Sequence, residues 1–133
     1  MMITFMIQTA GVLMILLAFL HVDFPRRFAW KNELAKLSLI NKQVMEVHMF
    51  FIALIVLLMG VLSLTSAHLL TTTVLGSRIC WGLAFFWFTR LIIQFVWYSP
   101  ELWRGKLFET TIHILFSLMW VFFGGIFLLA AIA

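Results

Sequence analysis

The chain has little of what soluble, disordered or cross-linked proteins are made of. Charged residues are only 11% of its 133, where a soluble domain carries about a quarter. With 65% hydrophobic residues there is too little polar surface to cover the apolar side chains, so a soluble globular fold is excluded. Seven glycines and two prolines exclude a collagen-like or disordered chain. The single cysteine, Cys80, cannot form an internal disulfide, so a disulfide scaffold is excluded and no redox compartment is indicated.

Long apolar runs are present instead. Four of them, at about 3–22, 44–64, 79–97 and 107–132, reach the ~20 residues of helix that cross a bilayer. Continuous runs exclude the alternating strands of a membrane barrel, and helices satisfy their own backbone hydrogen bonds in hydrocarbon. The expected fold is an all-α integral membrane protein, a single membrane domain built as a four-transmembrane-helix bundle. Pro25 and Ser99-Pro100 are expected to end the first and third spans. Met1 to Val22 lacks a basic start and a small-residue cleavage context, so it reads as a retained helix and not a signal peptide.

Charge sets the expected orientation. The first connection carries Arg26, Arg27, Lys31, Lys36 and Lys42, and the third carries Arg104 and Lys106, which is seven of the nine basic residues on one side. The positive-inside rule places that side in the cytoplasm and both termini outside, as in a bacterial inner membrane. Trp30, Trp97, Tyr98 and Trp103 lie at the same basic face, where aromatic anchors belong. This topology accounts for the net charge of +4 without nucleic acid. Within the first connection Trp30, Leu34, Leu37, Ile40 and Val44 recur at helical spacing between charged residues, predicting a short interfacial amphipathic helix over 30–41. It reads as a connector lying on anionic lipid or as a lid.

Ionisable residues inside spans are costly and mark candidate sites. His21, His48, Arg90, Gln94, Glu109 and His113 all fall in the cytoplasmic half of the spans, in a layer roughly 10 Å thick. Arg90 and Gln94 are four residues apart, as are Glu109 and His113, so each pair shares a helix face. Three stripes are expected to face the bundle interior: Gly11, Met14, Ala18 and His21; His48, Ile52, Ile55 and Met59; and His113, Ser117, Trp120 and Gly124.

The first chemical reading is a cofactor site. Imidazoles ligate haem iron and transition metals, so His21, His48 and His113, with Glu109 as ligand or supporting carboxylate, would hold haem b or Fe, Cu or Zn. Arg90 and Gln94 would complete that site, and the protein would act in electron transfer or as an oxidoreductase. The alternative is a subunit that binds a quinone, lipid or anionic metabolite at Arg90 and Gln94 without catalysis of its own, within a homo-oligomer or larger membrane complex. A proton path through His and Glu is a third reading. The bland counterpart is structural: Arg90 pairs with Glu46 or Glu109 and locks the helices. No nucleophile triad, phosphate-binding glycine loop or histidine box occurs.

Overall fold

The computed structural model describes residues 1–27 and 29–133, with Arg26 and Arg27 given by their backbone alone. The side chains of those two arginines, counted above in the basic connection, and Phe28 lie outside the described residues. The element order is α1 (Met2–Arg27), α2 (Trp30–Leu34), α3 (Leu39–Thr65), α4 (Ala67–Thr72), α5 (Val74–Val96), a 3-10 turn (Pro100–Leu102) and α6 (Leu107–Ile132). No strand occurs among the described residues. Among the described residues, four helices are long and apolar enough to span a membrane, over Met2–Pro25, Leu39–Thr65, Val74–Val96 and Leu107–Ile132.

Several sequence expectations are corrected at the helix ends. Pro25 does not break α1, which continues to Arg27. A proline in the last turn removes one rung of the ladder, and little helix follows it. The amphipathic helix expected over 30–41 is the five-residue α2 alone. Residues 35–38 form turns, and α3 reaches back to Leu39. Ser38 explains the division: its hydroxyl accepts from Asn41 N at 3.4 Å and its carbonyl from Lys42 N, which starts a new helix. The loop expected after the second span is mostly helical, with α4 and an early start to α5 at Val74, where Thr73 Oγ1 accepts from Gly76 N at 2.9 Å.

The described chain forms two compact units, Gln8–Thr65 and, taken together, Met1–Ile7 with Ser66–Ala133. In the first unit, α1 and α3 meet through small residues. A Cβ on Gly11 would lie 2.8 Å from Gly60 O and 2.8 Å from Leu64 N, and one on Gly60 would lie 2.8 Å from Gly11 O. Such contact between backbones admits only glycine, the usual device of helices that pack without a hydrophobic driving force. The buried residues of α3 are Val56, Met59, Gly60 and Ser63, while none of residues 39–55 is buried. The Gly11 stripe is as expected, with Gly11, Met14 and Ala18 buried and His21 half-buried. The His48 stripe is not, since His48, Ile52 and Ile55 are exposed. Met59, the last member of that stripe, is buried beside Gly60, so the stripe is covered only at that end, where α1 and α3 meet.

In the second unit α5 and α6 pack along their length. Ser77 Oγ donates to Ala131 O at 2.8 Å, and the Trp87 ring lies 4.8 Å from Phe123. The Phe88 ring sits where a Cβ on Gly124 would come within 2.8 Å, whereas Gly125 has nothing within 4 Å. Cys80 is buried, its thiol 3.7 Å from Leu70 O.

Gly11→Ala and Gly125→Ala make the same chemical change in two settings. The first forces backbones apart and is expected to cost about 1–3 kcal/mol. The second gains helix propensity at no steric cost. Unfolding midpoints in detergent check this, and equal midpoints would contradict the close approach of α1 and α3.

Candidate functional site

The polar residues of α5 and α6 form one connected cluster. Arg90 and Gln94 sit one turn apart on α5, and Arg90 Nη1 donates to Gln94 Oε1 at 3.1 Å. Gln94 Nε2 lies 3.1 Å from Nδ1 of His113 on α6. A guanidinium has donors only, so the Gln94 oxygen faces Arg90 and its NH2 faces the imidazole. His113 Nδ1 therefore accepts, and the neutral ring carries its proton on Nε2. Gln94, at 6% exposure, is among the few buried polar residues described.

Aromatic rings enclose this chain. The Arg90 guanidinium carbon lies 5.0 Å from the Trp120 ring and 5.5 Å from the Tyr98 ring, both within cation–π range. Trp120 is buried and stacks on Trp87 at 5.2 Å and 12°. Trp103 stacks on His113 at 4.5 Å and 15°, and Phe95 meets the same imidazole edge-on at 5.5 Å.

Local sequence explains how Trp103 gets there. Ser99 caps the 3-10 turn by accepting from Glu101 N, with Pro100 at its first position. Arg104 N then donates to Pro100 O at 2.8 Å. Gly105 adopts φ 77°, the left-handed region that glycine enters freely. Thr110 Oγ1 donates to the Trp103 carbonyl and ties the returning chain to α6. The connection thus folds its tryptophan back over the first turns of α6.

Of the residues expected at a site, Arg90, Gln94 and His113 come together. Glu109 does not join them; it is exposed on the first turn of α6 and makes no ion pair with Arg90. His21 and His48 belong to the other unit. His21 Nδ1 lies 2.8 Å from Leu17 O, and its ring is 4.8 Å from Phe24. A carbonyl only accepts, so that nitrogen carries the proton. Among the described residues no group of three or more His, Cys, Asp or Glu forms that could hold a metal ion. The expected set of His21, His48, His113 and Glu109 is thus not assembled as ligands within either unit.

Sequence reasoning did not place Tyr98 and Trp103 beside the cluster, reading both as interfacial anchors. The signal for Trp103 was its position between a Ser-Pro pair and a glycine, which marks a chain that turns back.

Gln94→Leu would leave both Arg90 and His113 without their shared partner, and His113→Phe would leave the Gln94 amide half-satisfied. A double-mutant cycle is expected to show a coupling of about 0.5–3 kcal/mol, read as unfolding free energy in detergent. Additive effects would mean that the amide bridge contributes nothing. Comparison with family models, with curated proteins and with solved structures gave no match to this chain.

Proposed function

We propose that the chain is an integral membrane protein, with its basic connections in the cytoplasm, whose Arg90–Gln94–His113 cluster binds the anionic head of an amphiphile. The observation that carries this reading is the cluster's surplus of hydrogen-bond donors. Arg90 makes its side-chain hydrogen bond to a neutral amide, and no carboxylate forms an ion pair with it among the described residues. His113 presents its Nε2–H, following from the bond to Gln94. The buried indole N–H groups of Trp87 and Trp120 have no acceptor among the described residues.

Magnitudes favour an anion. An arginine inside a membrane helix costs about 2.5–3.5 kcal/mol on insertion scales. Cation–π contacts return about 0.5–2 kcal/mol, and a neutral amide leaves the charge in place. A carboxylate or phosphate would neutralise it through a fork of charge-assisted hydrogen bonds. The surrounding rings of Trp103, Tyr98 and Phe95 suit the apolar body that such a head would carry. The haem and metal reading draws no comparable support: among the described residues no group of three or more His, Cys, Asp or Glu could hold a metal ion, and with Nδ1 of His113 accepting from Gln94 the ring's proton lies on Nε2, the other ligand atom.

The ligand claim is tested by native mass spectrometry of the detergent-purified protein with oleate and dioleoyl phosphatidate as probes. Wild-type protein is expected to retain either anion, and Arg90→Gln to weaken it about tenfold or more. Equal binding by both proteins would overturn the proposal. The orientation is tested separately by cysteine labelling of intact cells in a Cys80→Ala background. Thr72→Cys is expected to react with an impermeant maleimide and Lys36→Cys to be protected; the reverse pattern would invert the topology.

A further inference from the structure

The unit Gln8–Thr65 contains a second feature that the Arg90 cluster does not use. A cavity of about 310 Å³ opens between the end of α1, the short α2 and the first turns of α3. Three charged residues line it: Lys31 on α2, and Lys42 and Glu46 one turn apart on α3. Its apolar lining includes Trp30, Leu34 and Met49. Leu34 is buried, while Trp30, Lys42 and Met49 are half-buried. Lys42 and Glu46 have the spacing of a helix ion pair, yet among the described residues none of the three charges is in an ion pair. Two lysines and one glutamate therefore line one open cavity with no ion pair among them, Lys42 half-buried and Lys31 and Glu46 exposed.

We propose that this cavity binds the headgroup of a phospholipid that carries a primary ammonium next to its phosphodiester, as phosphatidylethanolamine does. The lysines take the phosphate oxygens, and the Glu46 carboxylate accepts from the ammonium. Both signs are needed. A purely anionic head such as phosphatidylglycerol satisfies the lysines equally but offers Glu46 only neutral hydroxyls, with no cation to offset the carboxylate charge. A choline head brings a cation with no N–H to give the carboxylate. The apolar floor of Trp30, Leu34 and Met49 matches the glycerol and upper acyl region, which favours a lipid over a small soluble zwitterion. From the preceding proposal this one takes only that α1 and α3 stand in a bilayer.

The test is lipid competition by native mass spectrometry on the full-length protein, with equimolar dioleoyl phosphatidylethanolamine, phosphatidylcholine and phosphatidylglycerol. Wild-type protein is expected to favour the ethanolamine lipid over the other two by about threefold or more, the scale of partly exposed charge pairs. Glu46→Gln is expected to abolish its advantage over phosphatidylcholine. Lys31→Gln with Lys42→Gln is expected to lower all three phosphate-bearing lipids toward background. Arg90→Gln should leave the preference unchanged, which separates this site from the one on α5 and α6. Equal occupancy of the three lipids in wild type, a preference unaltered by Glu46→Gln, or phosphatidylglycerol bound best by wild type and Glu46→Gln alike would each overturn the proposal.

Discussion

The Gln94 carboxamide is the joint on which the polar cluster depends. It is a neutral group with one end for each neighbour, an oxygen for Arg90 and an NH2 for His113. Because arginine cannot accept, the amide has one workable orientation, and the imidazole tautomer follows from it. A glutamate at that position would pair with the guanidinium and cancel its charge. An apolar residue would leave two polar groups without partners, at about 1–3 kcal/mol for each. Glutamine fixes the geometry while leaving the positive charge uncancelled.

The aromatic residues extend the same logic. Trp120 presents one face to Arg90 and stacks its ring on Trp87. Stacked tryptophans contribute roughly 0.5–1.5 kcal/mol beyond their buried area, which offsets part of the cost of two unpaired indole N–H groups. Trp103 covers His113 from the other side of a turn. The cluster is thus closely packed in its rings and unbalanced in its hydrogen bonding, with the imbalance toward donation.

Much of the helical architecture was legible in the sequence because hydrocarbon-length apolar runs leave few alternatives. The Arg90–Gln94 pair was legible too, since a four-residue spacing on one helix puts both side chains on one face. What periodicity could not provide was how far along a helix its packing extends. The stripe of His48, Ile52, Ile55 and Met59 is continuous in the sequence, yet only its Met59 end is buried. The glycine contact accounts for that end, because Gly60 brings α3 against Gly11 of α1, with a would-be Cβ 2.8 Å from backbone, while none of residues 39–55 is buried. Sequence gave equal standing to Glu109 and Gln94 as partners one turn from a charged or titratable residue. The structure separates them, because Gln94 is buried beside α6 whereas Glu109 stands exposed on the opening turn of its own helix. Helix ends were read less well than helix middles, as Pro25 and Ser38 show, because a single side chain there shifts a boundary that the apolar pattern leaves open.

The turn between α5 and α6 sets the limit on how precisely the cluster is held. Arg90, Gln94 and His113 stand on long helices, and their backbone positions follow from helix packing. Trp103 stands on a connection whose path requires a capped 3-10 turn, a proline at its first position and a glycine at φ 77°. Each of these is a local choice that the apolar pattern of the spans does not dictate. Thr110 joins that connection to α6 through the Trp103 carbonyl, so the ring over His113 moves with the first turn of the helix that carries the imidazole. The position of that ring therefore depends on a threonine hydroxyl and a glycine as well as on the packing of the spans.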